Sequence, residues 1–395
     1  MKYAFRKMIS SIACITFLVS SASVLENVVA DGVNLENLVT VSATGIENGL
    51  LYDVYEDYVK IIDCAQTIEG EMIIPDMIDG LPVTSIGEKA FLDCSSLTAI
   101  IIPNSVKNIG EYAFCNCSAL SSIIIPDGVN SIKNFTFSGC SSLKSITIPK
   151  SVTAIRMYAF DFCYSLTAIH VDSESQSYMD IDGVLFSKDQ KMLLCYPSGK
   201  LNQSYSIPDD VTSIRYSAFC GCSALESITI PDNIISIGDS VFNGCSSLTS
   251  VTIPDGVTNI GGGAFCFCSS LESVIIPNSI KSIQNSTFGH CSALKSVTIP
   301  NGIQNIGTYA FCECSSLESI TISDSVTRIE SGAFWNCSSL TSITIPDSVT
   351  SIRDSAFCFC SSLESVTISN SIKSIENSTF SNCSALKSVT IVNSL

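Results

Sequence analysis

The sequence predicts a β-rich solenoid, a curved stack of similar coils whose strands form one parallel sheet. The first observation is a repeat of 23 residues, interrupted by a single step of 59 residues. The second is that each repeat alternates apolar and polar residues over a short run, as a half-buried strand does. A phenylalanine marks the repeat in twelve copies, at Phe91, Phe114, Phe137, Phe160, Phe219, Phe242, Phe265, Phe288, Phe311, Phe334, Phe357 and Phe380.

One repeat reads L-x-x-I-x-I-P-x-x-V-x-x-I-x-x-x-A-F-x-x-C-x-S, and residues 340–362 contain every element of it. In this copy Ile343 and Ile345 share one side of a strand, and Thr344 points to the other side. Pro346 ends the strand because it has no amide donor. A second short extended run, "VTSI", follows, and the Asp-Ser start of "DSAFCFC" then predicts a short turn or helical turn on the return path.

A single coil of this kind is not expected to fold alone. The apolar side chains of one coil release too little free energy on burial to offset the ordering of its backbone. Stacked coils share their interior, so the repeat is stable only as an array.

The composition excludes several classes of protein. Apolar residues make up 46% of the chain and charged residues 14%, which excludes intrinsic disorder. The formal net charge is −17, with only two histidines. Such a charge argues against a nucleic-acid-binding surface and against docking on an anionic membrane.

Residues 1–30 are predicted to be a signal peptide. Three basic residues precede an apolar run at 8–19, and small residues at 20–22 or 28–30 offer cleavage sites. A lipoprotein signal acylated at Cys14 and an uncleaved anchor are the alternatives. Few apolar residues precede Cys14, and the apolar run is shorter than the roughly 20 residues of a membrane span. We therefore expect an exported protein without membrane insertion, secreted or held at the cell surface.

The motif "LTSITIPDSVTSI…AF..C" resembles the 23-residue leucine-rich repeat of BspA-like bacterial surface proteins, and the resemblance covers residues 68–395. Residues 50–90 are similar to the N-terminal cap of that family. The resemblance implies an exported or surface protein that acts in adhesion, host contact or protein binding. It implies no catalytic residues and no cofactor, so we expect a protein that is not an enzyme.

The chain is expected to divide into a signal peptide (1–30), a cap with a diverged first coil (31–90), repeats (91–170), an island (171–206) and repeats (207–395). Within the island, the runs "GVLFS" and "KMLLCYP" are separated by "KDQ", which predicts a β-hairpin. Nearby, "DIDG" is similar to the start of a calcium loop, but the later ligands are missing.

Twelve cysteines occupy the same position of the repeat, three residues after the phenylalanine. Neighbours in this column should lie about 4.8 Å apart, the strand spacing of a sheet. Two interpretations stay open: a buried column of free thiols, or disulfides between adjacent coils. The column consists of Cys94, Cys117, Cys140, Cys163, Cys222, Cys245, Cys268, Cys291, Cys314, Cys337, Cys360 and Cys383.

A second cysteine follows the phenylalanine directly in five coils. The same position holds Leu, Ser, Asp, Asn, Gly or Trp in the other coils, which is typical of a partly exposed site. Cysteines two coils apart should lie roughly 10 Å from each other, too far for a disulfide or a shared zinc ion. We therefore expect no metal site at these residues, which are Cys115, Cys220, Cys266, Cys312 and Cys358.

The outward positions of the predicted strand carry mostly serine, threonine, glutamate and lysine. They form a candidate partner-binding face for a protein or glycan on another cell or in a matrix. The alternative is a solubilising face, since aromatic and arginine anchors are nearly absent from it. The candidate residues are Glu226, Thr229, Glu272, Lys295, Thr298, Glu318, Thr321, Thr344, Glu364 and Thr367.

Neither histidine suggests catalysis, because no nucleophile and acid accompany His170 or His290 at a suitable spacing. The last strand is predicted over 386–391 with no polar cap after it. We expect this end either to fray or to be covered by a second copy, giving a homodimer. The two hypotheses for function are therefore a non-enzymatic binding or adhesion protein and a structural spacer or self-assembling scaffold.

Overall fold

The computed structural model describes residues 43–65, 67–372 and 374–392. The predicted signal peptide lies outside these residues. The described residues form strands joined by turns, with no helix among them. They make a solenoid of stacked coils, as the sequence predicts.

The N-terminal cap is an antiparallel meander of three strands, β1 (Ala43–Glu47), β2 (Leu50–Val54) and β3 (Val59–Cys64). Asn48 and Gly49 join the first two strands, and both have positive φ angles. Asn-Gly is the pair that such a two-residue hairpin turn favours. The array begins at the third strand, because β3 also pairs in parallel with β6 (Leu81–Ile86), which is the second strand of the first coil.

Each coil contributes two short strands, so the array has two parallel ladders where one sheet was predicted. The first ladder contains the "LxxIxI" run, and the second ladder contains the "VxxI" run. Before the island, the first ladder consists of β4 (Gly70–Ile73), β7 (Leu97–Ile101), β9 (Ser122–Ile123), β11 (Ser145–Ile148) and β13 (Ala168–Val171). The second ladder consists of β6, β8 (Asn108–Ile109), β10 (Ser131–Ile132) and β12 (Ala154–Ile155), with β5 (Met77–Ile78) antiparallel to β6.

The island forms an antiparallel meander of β14 (Tyr178–Ile181), β15 (Val184–Ser187) and β16 (Met192–Cys195). The two runs for which a hairpin was predicted are β15 and β16. Asp182 and Gly183, taken from the calcium-like fragment, form the positive-φ turn between β14 and β15. The fragment therefore has the local structure of a hairpin turn.

After the island the two ladders continue to the last described coil. The first ladder contains β17 (Ser204–Ser206), β19 (Ser227–Thr229), β21 (Ser250–Thr252), β23 (Ser273–Ile275), β25 (Ser296–Thr298), β27 (Ser319–Thr321), β29 (Ser342–Thr344), β31 (Ser365–Ser369) and β32 (Ser388–Val392). The second ladder resumes with β16, which pairs in parallel with β18 (Ser213–Ile214). It continues through β20 (Ser236–Ile237), β22 (Asn259–Ile260), β24 (Ser282–Ile283), β26 (Asn305–Ile306), β28 (Arg328–Ile329) and β30 (Ser351–Ile352).

The phenylalanines of successive coils stack inside the solenoid. The ring centroids of Phe265 and Phe288 are 5.5 Å apart, and those of Phe288 and Phe311 are 5.4 Å apart. The island continues this column with a tyrosine, because Tyr196 is buried and stacks on Phe219 at 5.1 Å. The step of 59 residues therefore contains one further coil in which tyrosine replaces phenylalanine.

The return path consists of turns, whereas the sequence also allowed helical turns. Two positions of every regular coil, two residues before and two residues after the phenylalanine, have positive φ angles. Phe135 and Asn116 are examples, at 55° and 59°. Left-handed residues at this spacing prevent a helix from propagating. The backbone pairs between coils instead, as when Phe265 N–H donates to the Thr287 carbonyl at 2.8 Å.

Candidate binding surface

The outward face of the first ladder is regular because the strand alternates. In β29, Ile343 is buried, whereas Ser342 and Thr344 point outward and are exposed. Parallel pairing places equivalent residues side by side, so Thr344 lies next to Thr367 of the following coil. The result is a face on which each column of the repeat runs across many coils.

All ten residues of the candidate face lie on this outward side. Thr367 is half-buried and the other nine are exposed. The structure brings Thr298 next to Thr321 in register. The isoleucine at position 275 interrupts the threonine column between β21 and β25.

Two glutamates of this face form ion pairs with lysines of the neighbouring coil. Lys295 Nζ lies 2.9 Å from Glu272 Oε2, and Lys387 Nζ lies 3.0 Å from Glu364 Oε2. More than half of each of these side chains is exposed. Exposed ion pairs contribute about 0–1 kcal/mol. These pairs fit the solubilising interpretation, and a contact role for the same residues stays a prediction.

Three adjacent isoleucines form an apolar patch on the first ladder that the sequence interpretation missed. We call Ile73, Ile101 and Ile124 the isoleucine patch. Their exposed fractions are 60%, 48% and 80%. Ile73 pairs in register with Ile101, and the pairing of Ile100 with Ile123 places Ile101 beside Ile124. The signal was present in the sequence, since "AIII" and "SIII" put isoleucine where later coils have threonine.

The second ladder also has an open face, with a cleft of about 1370 Å³. Its lining includes four cations, Lys60, Lys133, Arg156 and Arg215, although the chain as a whole is acidic. Three carboxylates, at positions 88, 111 and 239, line the same cleft. The charges therefore nearly cancel, and the cleft gives no clear preference for a charged ligand.

An aromatic column lies outside the core in the same coils. The rings of Tyr112 and Phe135 stack at 4.8 Å, and those of Phe135 and Tyr158 stack at 4.8 Å. Each of these rings is half-buried. Because the rings stack on each other, they stabilise the contact between coils.

Asp161 is a half-buried carboxylate at the junction with the island. Burial raises the pKa of Asp161 to about 6, while the Ser217 hydroxyl and the Arg215 guanidinium act in the opposite direction. The Arg215 guanidinium also donates to the Tyr216 hydroxyl at 2.7 Å. These groups connect the coils on either side of the island.

The twelve-cysteine column is buried, and eleven of its members are free thiols. Each regular member donates its S–H to the carbonyl of the phenylalanine in the preceding coil, as Cys314 does to Phe288 at 3.2 Å. A cysteine is small enough for this site and is a weak donor. Burial raises the pKa of these thiols, that of Cys117 to about 12. The column therefore consists mainly of protonated, unreactive thiols.

The exception in the column is Cys94, which forms a disulfide with Cys64 of the cap. The two interpretations offered by the sequence were a free column and bridges between ladder cysteines of adjacent coils. The structure agrees fully with neither interpretation, because eleven column cysteines are free and the one bridge among the described residues joins the column to the cap. Cys64 lies outside the repeat, so its pairing could not be read from the period.

The second cysteines are more buried than predicted. Cys266 and Cys312 each keep only 7% of their surface exposed, compared with 0% for the column cysteines Cys268 and Cys314. The prediction of a partly exposed site was therefore wrong for the cysteines, whereas Leu92, Asp161 and Trp335 at the same position are half-buried as predicted. The expected distance between cysteines two coils apart also needs correction where glycine lies between them, as shown below.

His170 and His290 lie apart from each other on the array. His170 is exposed, and its Nδ1 atom is 3.8 Å from Asp180 Oδ2. The ring of His290 stacks on Phe267 at 4.2 Å. The described residues contain no group of three or more His, Cys, Asp or Glu side chains placed to hold a metal ion. Within the same residues, no helix has the length and apolarity to cross a membrane.

Comparison with known families and structures agrees with this geometry. The model of the BspA type leucine rich repeat region matches residues 80–192, 195–315 and 281–395. A leucine-rich repeat protein from Eubacterium ventriosum is 26% identical, with 80% of this chain and 94% of that chain covered and a TM-score of 0.66. No curated protein matches the chain.

A leucine rich cell surface protein from Faecalibacterium prausnitzii is 27% identical, with 89% of this chain and 95% of that chain covered and a TM-score of 0.58. The pneumococcal vaccine antigen PcpA is similar in fold, at 21% identity and a TM-score of 0.51, with 89% of this chain and 94% of that chain covered. The family model covers well over half of the sequence. The chain belongs to the BspA-type leucine-rich repeat family.

Proposed function

We propose that this chain is an exported, non-enzymatic protein-binding or adhesion protein whose contact surface is the outward face of the first ladder. The observation that carries the proposal is the isoleucine patch, in which three apolar side chains lie next to each other on an otherwise hydroxyl-rich face. Protein interfaces have this composition, an apolar centre within a polar rim. Contiguous exposed apolar residues are unusual on a surface without a partner.

The ten residues of the candidate face lie on the outward side of the first ladder in the coils after the island. Their hydroxyl groups and carboxylates supply hydrogen-bonding partners but no large apolar anchor. In this proposal the isoleucine patch provides most of the binding free energy, and the candidate face adds orientation and specificity. Export is supported by the basic and apolar pattern of residues 1–30 and by the relative from Faecalibacterium prausnitzii that is described as a cell surface protein.

The partner that fits this surface best is a protein. Isoleucine side chains offer no hydrogen bond to a sugar hydroxyl, and the rings of Tyr112, Phe135 and Tyr158 stack on each other. A protein with its own exposed apolar residues would bury the patch. Glycan binding is the alternative outcome of the same screen.

The test is a binding screen of the chain without residues 1–30 against purified extracellular-matrix proteins and glycans. Ile101→Asp should abolish saturable binding, because it places a charge at the centre of the patch. Ile235→Asp is the control, since Ile235 is also an exposed isoleucine, at 65%, and directly precedes β20 of the second ladder, outside the proposed contact surface. Equal loss in both variants, or no effect of Ile101→Asp on a saturable partner, would overturn the proposal.

A structural scaffold is the second candidate, favoured by the last strand. Every residue of β32 is exposed, including Ile391 at 66%, and among the described residues β32 pairs only with β31. Exposed apolar residues on a strand favour pairing with a strand of another chain. Sedimentation should then show a dimer that Ile391→Lys converts to a monomer, and a monomeric wild-type chain would rule this candidate out.

A further inference from the structure

One glycine brings two cysteines of different coils close together. Gly289 occupies the position that holds Cys266 in the coil before it and Cys312 in the coil after it. A Cβ atom added to Gly289 would lie 3.2 Å from Cys312 Sγ and 3.4 Å from Cys266 Sγ. The sum of these distances limits the separation of the two sulfurs to about 6.6 Å. Both sulfurs therefore flank one position that no side chain occupies, and they lie close enough to it that even a methyl group there would be crowded. We call this space between the two sulfurs the gap.

The other cysteines at this position have no such gap between them. Asn243 lies between Cys220 and Cys266, and Trp335 lies between Cys312 and Cys358. The indole of Trp335 packs edge-on against a neighbouring ring. Cysteine pairs two coils apart therefore occur both with an intervening side chain and, at Gly289, without one. The chain contains its own matched controls.

The two thiols also differ from the cysteine column in their hydrogen bonds. Cys268 and Cys314 donate to phenylalanine carbonyls at 3.2 Å, whereas within the described residues Cys266 and Cys312 have no carbonyl acceptor. Burial raises the pKa of Cys266 to about 11, and the neighbouring Cys312 raises it further while the Phe267 amide lowers it. Each of the two cysteines keeps 7% of its surface exposed, compared with 0% for Cys268 and Cys314.

A disulfide does not fit this pair. Residues two coils apart have Cα atoms separated by about 9.6 Å, twice the strand spacing, whereas a disulfide needs less than about 7 Å. A metal ion held between the two sulfurs bridges a longer distance than a disulfide bond does. With thiolate–metal bonds of about 2.3 Å, two bonds in line hold the sulfurs about 4.6 Å apart, within the limit set by the geometry.

We propose that Cys266 and Cys312 form a two-coordinate site for a soft monovalent ion such as Cu(I), which occupies the gap at Gly289. Thiolates select soft ions, and a linear site needs only two of them. Binding forms two sulfur–metal bonds and releases both thiol protons to solvent, with no change in oxidation state. Zinc would need four ligands, and the described residues contain no group of three or more His, Cys, Asp or Glu side chains placed to hold a metal ion. The site is independent of the proposed protein-binding function.

The experiment titrates Ag(I), a soft ion that needs no reductant, into the folded chain without oxygen and with the Cys64–Cys94 bridge intact. Native mass spectrometry counts the bound ions, and a chromophoric chelator competes for them. The wild-type chain should hold one ion far more tightly than the rest, with two protons released per ion. Gly289→Ala should lower the affinity for that ion by more than about 100-fold, which is the upper end of the loss caused by removing an outer-shell partner from a metal site.

Cys266→Ser and Cys312→Ser should lower the affinity for this ion as Gly289→Ala does. Cys220→Ser and Cys358→Ser should leave the affinity unchanged. Serine occurs naturally at this position in two coils, so these variants should fold, which circular dichroism checks. Three results would overturn the proposal: no distinct tight ion, equal affinity in Gly289→Ala, or equal weakening by Cys358→Ser. A Cys266–Cys312 disulfide found in the oxidised chain would also contradict the geometry.

Discussion

Replacing one phenylalanine in the middle of the core column should destabilise the array strongly. Phe288 has no exposed surface, and its ring stacks on Phe265 at 5.5 Å and on Phe311 at 5.4 Å. Phe288→Ala removes both contacts and leaves a cavity between two coils. In a stack where each coil contacts only its neighbours, the damage falls on two interfaces.

Truncation of a buried phenylalanine to alanine costs about 3–5 kcal/mol. The two stacked rings make the upper part of this range the expected value, because each aromatic pair adds about 0.5–1.5 kcal/mol beyond its buried area. Phe380 provides the matched comparison, since it is only partly buried and stacks on one ring, Phe357, at 5.6 Å. Phe380→Ala should cost about half as much.

Urea unfolding followed by far-ultraviolet circular dichroism measures the free energy of unfolding of both variants. Hydrogen exchange read coil by coil then shows whether the loss is local. Phe288→Ala should speed exchange on both sides of its coil, and Phe380→Ala only near β32. Equal losses in the two variants, or a loss below about 1 kcal/mol for Phe288→Ala, would refute the reasoning from a continuous stacked column.

Three further predictions concern Asp161, Tyr196 and the cysteines. The folded chain keeps the Asp161 proton up to about pH 6 and the unfolded chain only to about pH 4, so Asp161→Asn should raise the free energy of unfolding by about 1–3 kcal/mol at pH 7 and by almost nothing at pH 3. Equal effects at both pH values in urea titrations would contradict this. The buried Tyr196 hydroxyl has no hydrogen-bond partner among the described residues, so Tyr196→Phe should stabilise the chain by about 1 kcal/mol in the same assay, and a loss would show an overlooked partner. Alkylation of the denatured, unreduced chain should label every described cysteine except Cys64 and Cys94, which mass spectrometry of peptides checks; labelling at either residue would mean that the bridge is absent.

The period of the sequence was enough to predict the solenoid and the inside of its strands. Ile343 and Thr344 lie on the sides that alternation assigns to them, because a strand has only two faces. The left-handed turn positions could not be predicted in the same way. Residues as different as Phe135 and Asn116 occupy them, since hydrogen bonds between coils fix the backbone there and outweigh local propensity.

The candidate site was predicted less completely than the fold. The ten polar residues lie on the outward face as expected, but their contact role depends on a partner that no sequence period encodes. The isoleucine patch was visible in the sequence and was passed over because the later, more regular coils defined the consensus. The close approach of Cys266 and Cys312 depends on what Gly289 lacks, and spacing along the chain does not reveal how side chains lean into a gap.

Hydroxyl-radical footprinting tests the central proposal, binding through the outward face of the first ladder, most directly. The full chain is oxidised alone and with a saturating matrix protein identified in the screen, and side-chain oxidation is read by mass spectrometry. The account predicts that Ile73, Ile101 and Ile124 become protected while the exposed Phe267 on the return path stays equally reactive. Protection of the return path or of the second-ladder cleft, with the isoleucine patch unchanged, would contradict it.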